Sequence, residues 1–208
     1  MKVIILLFSS LLTVHVGSEY TDEYGREMLA MSAAAFARNP GICLSKIMPK
    51  EEKWILISAN EAVCDKRSDK CAVFVAISHI VRKILVSFRG TNTITQLVAE
   101  SLDILKEEYV FYDLGRVDTY FLNALEKVWH PVRKVLADFD LINYDVVFTG
   151  YSLGGALASI ASLKAYKDNL RASNKISLIT YGMPRVGNYL FASNHDRIIT
   201  NSYRIVHK

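Results

Sequence analysis

The stretch that most constrains this 208-residue chain is Gly150-Tyr151-Ser152-Leu153-Gly154-Gly155. A β-branched and aromatic run, Tyr144 to Thr149 (YDVVFT), enters it, and a helix-forming run, ALASIASLKAYKD, leaves it. The pattern predicts a strand turning directly into a helix, with Ser152 at the apex of the elbow. So tight a turn holds its apex residue in a strained backbone conformation and lifts the hydroxyl above the sheet edge. Side chains two positions to either side would collide, and Gly150 and Gly154 have none. The Leu153 N–H then lies at a helix N-terminus, where free amide protons and the helix dipole favour an anion. Ser152 is thus a candidate nucleophile, and the Leu153 amide a candidate oxyanion donor.

The remaining pattern alternates between strand and helix. Thr21 caps a helix predicted to run to Asn39, where Pro40-Gly41 ends it. Trp54 to Ser58, Cys71 to Ser78 and Lys83 to Phe88 read as strands, the last two forming a hairpin. Thr93 to Leu105 has helical spacing. Phe121, Leu125, Val128, Val132 and Val135 line one face of a helix from Thr119 to about Ala137. Leu153 to about Asp168 is helix, Lys175 to Tyr181 strand, Tyr189 to about Ile198 helix and Ser202 to Val206 strand. Strands alternating with helices from residue 119 onward give an α/β fold with a mostly parallel sheet and flanking helices.

The N-terminus points to the compartment. Lys2 precedes about twelve mainly apolar residues, too short a stretch to span a bilayer comfortably, with Val16 and Ser18 sized for a cleavage site before Glu19. Residues 1–18 are therefore expected to be a signal peptide and 19–208 a secreted, extracellular domain without a transmembrane segment. The 25 basic against 21 acidic residues give a net charge of +4. Loss of Lys2 would leave +3, and no basic run concentrates it, so nucleic acid is not an expected partner. Between Cys64 and Cys71 lies Asp65-Lys66-Arg67-Ser68-Asp69-Lys70, a solvated loop whose base a disulfide would close. No histidine pair accompanies these cysteines, which makes them a poor zinc site, and neither metal nor cofactor is expected. Cys43 is left unpaired.

A second signal, Phe88-Arg89-Gly90-Thr91, ends a strand with a glycine and a hydroxyl residue. Alone it is an ordinary turn with Thr91 or Thr93 as a helix cap. Beside an elbow it can also supply the second backbone N–H of an oxyanion hole. SFRGT at 87–91, FTGYSLGGALA at 148–158 and TYGMPRVGN at 180–188 resemble the class 3 (fungal-type) lipase family in order and approximate spacing. The resemblance covers nearly all of residues 19–208. It implies an α/β-hydrolase fold that cleaves acylglycerol or related lipid esters at a lipid–water interface. It also implies Ser152 as nucleophile and Thr91 and Leu153 as the oxyanion hole. Asn92 to about Ala99 corresponds to the family's lid, with Ile94, Leu97 and Val98 as an apolar face. Tyr151 stands where the family commonly has histidine.

The acid and base are harder to place. In this fold both follow the serine, and the later candidates are Asp168, Asp196, His195 and His207. Asp168 lies sixteen helical residues on, about 24 Å away. Asp196 precedes the last strand and should lie at the opposite sheet edge from Ser152. His207 falls on the active edge but lacks an orienting carboxylate. His79 and His130 come too early. By the resemblance, the catalytic aspartate would stand about two residues past Lys208 and the histidine beyond it. The chain accordingly reads as a fragment, a truncated product or a short isoform, and the alternative to an enzyme is an inactive lipid- or partner-binding module.

Overall fold

The computed structural model describes residues 20–64, 68–90 and 108–206. Six strands form one sheet: β1 (Ile55–Val63), β2 (Lys70–Ser78), β3 (Lys83–Arg89), β6 (Asp145–Tyr151), β7 (Ile176–Tyr181) and β8 (Asn201–Ile205), in the order β1-β2-β3-β6-β7-β8. β1–β2 and β2–β3 are antiparallel, while β3–β6, β6–β7 and β7–β8 are parallel. A separate antiparallel ribbon joins β4 (Glu108–Val110) to β5 (Arg116–Asp118). The helices are α1 (Asp22–Ala34), α2 (Pro40–Ile47), α3 (Thr119–Leu136), α4 (Leu153–Lys167) and α5 (Tyr189–Ile198).

Strand alternation sorts side chains to two cores. Ile84, Val86, Phe88, Val146, Phe148 and Leu178 face α3 and α4. Leu85, Val147, Ile179 and Tyr181 face α1 and α2, against Met28, Met31 and Leu44. Both faces of the central strands are covered, which is why they read as unbroken apolar runs. Three sheet hydroxyls also reach the α1 backbone: Ser87 Oγ donates to Met31 O (3.0 Å), Thr149 Oγ approaches Met28 O (3.4 Å), and the Tyr181 hydroxyl donates to Gly25 O.

Local chemistry explains the helix starts. The side chains of Thr21, Asp118 and Asn188 accept backbone N–H bonds at the starts of α1, α3 and α5. The helix predicted to run to Asn39 ends early, at Ala34. Asn39 accepts the Gly41 N–H (3.0 Å) and Pro40 opens α2, so the proline expected to stop a helix starts one instead. β1 continues five residues past the predicted Ser58 because Ala59 to Val63 pair with Phe74 back to Lys70. The predicted helix from Thr93 to Leu105 lies outside the described residues.

Candidate active site

The parallel strands end together, Phe88 beside Gly150 and Tyr151 beside Tyr181, and the elbow stands on that carboxyl edge. Ser152 is both the residue after β6 and the cap position of α4, with φ 52° and ψ −121°. A non-glycine residue at this φ is strained by about 1–3 kcal/mol and persists only where its surroundings impose it. Those surroundings are visible. The Ser152 N–H donates to Tyr181 O (2.9 Å), and Ser152 O accepts from Gly155 N (2.9 Å) and Ala156 N (3.2 Å).

The glycines answer to contacts. A methyl group on Gly150 would lie 2.3 Å from Gly154 C and O, and one on Gly154 would lie 2.2 Å from Phe88 O. One on Gly90 would lie 2.7 Å from Leu153 Cβ. The end of β3 is therefore pressed against the first turn of α4, so Phe88 to Gly90 adjoin the elbow. Thr91 itself, the proposed second oxyanion donor, lies outside the described residues, as do the proposed lid residues Ile94, Leu97 and Val98 and the candidate base His207.

The Ser152 hydroxyl differs from expectation in one respect. It stands at the predicted edge and elbow but is only 2% exposed, and its Oγ has no hydrogen-bond partner among the described residues. A buried hydroxyl left unsatisfied costs about 1–3 kcal/mol, and such an orphan invites a functional account.

No acid–base pair meets Ser152 among the described residues. Asp168 stands at the far end of α4, accepting from Tyr112 Oη (2.5 Å) and paired with Lys164 (3.4 Å). His195 is buried on α5, its Nε2 3.3 Å from Ser162 Oγ. Ser162 is ten residues along α4 from Ser152, about 15 Å at helical rise. Burial pushes the His195 imidazole down to about 4, and Asp196, 3.9 Å away and largely exposed, only partly opposes this. His79 bonds to Tyr144 Oη (2.9 Å), and His130 is exposed. Cys64 and Cys71 form a disulfide and Cys43 is free, as expected. Sequence reasoning missed the Tyr181 carbonyl that anchors Ser152; as a backbone group it leaves no mark on residue identity.

The mostly parallel sheet, its covering helices and the strand–serine–helix elbow define an α/β-hydrolase. The profile of the family described as Lipase (class 3) matches residues 85–208. The chain belongs to that family. It is 38% identical to Lipase ZK262.3 of Caenorhabditis elegans over 190 residues, 91% of this chain and 54% of that protein. It is 32% identical to secreted mono- and diacylglycerol lipase 1 of Fusarium solani over 170 residues, 81% of this chain and 49% of that protein. The chain thus spans about half the length of these relatives. Among solved structures it resembles the lipase of Rhizopus microsporus var. chinensis, with TM-score 0.73, 27% identity, and coverage of 91% of this chain and 68% of that one. It likewise resembles lipase II from Rhizopus niveus, with TM-score 0.73, 26% identity, and coverage of 89% and 71%.

Proposed function

We propose that residues 19–208 carry the nucleophile half of a secreted acylglycerol lipase, with residues 1–18 as its leader. The observation that carries this reading is Ser152, held at φ 52° with an orphan hydroxyl at the N-terminus of α4. Ser152 Oγ gives up its proton to a base as it bonds to the ester carbonyl carbon, and the Leu153 and Thr91 amides stabilise the oxyanion. Collapse expels the alcohol, which takes that proton, and water then hydrolyses the acyl-serine. Gly150 and Gly154 make room for the turn. The substrate class is supported by relatives named as lipases, one of them a secreted mono- and diacylglycerol lipase. Secretion is further supported by the Cys64–Cys71 disulfide. Among the described residues, no helix is long and apolar enough to cross a membrane.

Secreted protein from the complete reading frame should hydrolyse tributyrin, and Ser152→Ala should lower kcat by about 10⁴–10⁶-fold. Undiminished turnover in that variant would overturn the reading. A polypeptide of residues 19–208 alone is a different matter. Its His195 is committed to Ser162, and a serine without a base keeps only about 10³–10⁴ over water from oxyanion binding. This favours a second reading for that polypeptide, an inactive lipid- or partner-binding module. Robust turnover that vanishes in Ser152→Ala would show that a residue within 19–208, such as His207, serves as base.

A further inference from the structure

The carboxyl edge carries a second feature beside the elbow. The β4–β5 ribbon, the segment 182–188 and the first turn of α5 form one continuous rim. Val117 bridges to Gly187, Asn188 N donates to Arg116 O (2.9 Å), and Asn188 Oδ1 accepts from both Arg116 N (3.1 Å) and Phe191 N (3.0 Å). Asp118 N also donates to Val186 O (3.0 Å). The rim lies at the carboxyl edge because segment 182–188 leaves the end of β7 and Asp118 begins α3, which runs back to the amino edge before β6.

Its outward residues are apolar and cationic. Tyr189 is 84% exposed, and Leu190, Tyr109 and Val110 are each more than half exposed. Arg116, Arg185 and Arg204 are exposed between and beside them. Arg185 Nε donates to Gly187 O and Arg204 to Met183 O, but none of the three guanidinium groups is ion-paired among the described residues. The neighbouring Asp113 carboxylate is already taken by Lys167 (2.5 Å). Exposed tyrosine and aliphatic side chains interleaved with unpaired cations match the boundary between acyl chains and anionic headgroups.

We propose that this rim, built from Tyr109, Val110, Arg116, Arg185, Tyr189 and Leu190, docks the molecule on an anionic lipid surface with the Ser152 edge facing it. The proposal extends the hydrolase reading, from which it takes only the side that must face substrate. The test is sedimentation of the full chain with vesicles of diether phosphatidylcholine, with and without diether phosphatidylglycerol. Diether lipids cannot be hydrolysed, so binding is read independently of turnover, and failure of one reading leaves the other intact. Wild type should bind the anionic vesicles and be released by salt. Arg116→Gln with Arg185→Gln should weaken that binding roughly thirtyfold. Tyr189→Ser with Leu190→Ser should weaken it at least about tenfold, with an unchanged Tm. If that pair misfolds, Tyr109→Ser with Val110→Ser provides the same measurement. Phe139→Ser, at the amino edge and 83% exposed in wild type, should leave binding unchanged. Absence of wild-type binding, full binding by the rim variants, or equal loss in Phe139→Ser would overturn the proposal. A solution dimer dissociated by Tyr189→Ser with Leu190→Ser would assign the rim to a second copy, and would overturn it as well.

Discussion

A methyl group at residue 154 would lie 2.2 Å from Phe88 O and 2.9 Å from Phe88 C, both backbone atoms of β3. Backbone cannot swing aside as a side-chain tip can, so Gly154→Ala must pry α4 from the sheet. We expect a loss of at least about 3 kcal/mol, read as a lower urea midpoint. Ser152 is the opposite case. Its positive φ and orphan hydroxyl both work against folding, and Ser152→Gly removes both. That variant should gain about 1 kcal/mol of stability after allowance for glycine's greater unfolded-state entropy. Ser152→Ala, which keeps the strained φ, should gain less. If Ser152→Gly unfolds at lower urea than wild type, the elbow stores no strain and the functional reading of its geometry loses its main support.

At the scale of elements, α5 joins a buried histidine to the sheet. Burial lowers the folded His195 pKa from 6.5 to about 4, so the unfolded chain takes up this proton more readily. Stability should therefore fall as pH drops below 6.5 and level off below about 4, with a total loss on the order of 3 kcal/mol. Asp196 opposes the shift, and Arg185 and Arg204 line the same cleft of about 640 Å³. His195→Gln has no such proton to bind. The difference in unfolding free energy between wild type and His195→Gln should thus change across pH 6.5 to about 4, whereas parallel curves would remove the effect. Helix α5 was legible from Tyr189 to about Ile198, and each strand of the β2–β3 hairpin to within one residue, because both carry strong local patterns. The β4–β5 ribbon was not, since strands of three residues have no periodicity to detect. Pro40 was misread as a stop because a helix start and a helix end share the same residue types, and only Asn39 decides between them. The elbow could be read because its chemistry is local. The burial of Ser152 could not, since solvent exposure is set by tertiary packing and not by residue identity. His195 could be recognised as unsuited to the triad only by position; its partner Ser162 emerges only when α4 and α5 pack together.

Across the whole molecule, the amino edge is held by a residue that no sequence pattern singled out. Arg171 is 3% exposed and has no carboxylate partner in hydrogen-bond reach among the described residues. Its guanidinium donates instead to four carbonyls: Leu136 O (2.8 Å), Leu141 O (2.6 Å), Tyr144 O (3.1 Å) and Leu170 O (2.5 Å). These belong to the end of α3, the turn before β6, the entry to β6 and the chain just past α4. One planar cation thereby ties together the elements that deliver β6 to the elbow, and burial lowers its pKa. Lysine cannot reproduce the fork of donors. Arg171→Lys should leave at least two carbonyls unpaired and cost about 3 kcal/mol or more, a drop of roughly 6–12 °C in Tm for a chain of this size. The elbow lies at the other end of β6, so catalytically active protein that carries the same substitution should keep the same KM on a soluble ester. A variant with wild-type Tm would mean that water satisfies those carbonyls equally well. A variant with normal Tm and an altered KM would mean that the amino edge communicates with Ser152 through β6, which nothing in the packing between them predicts.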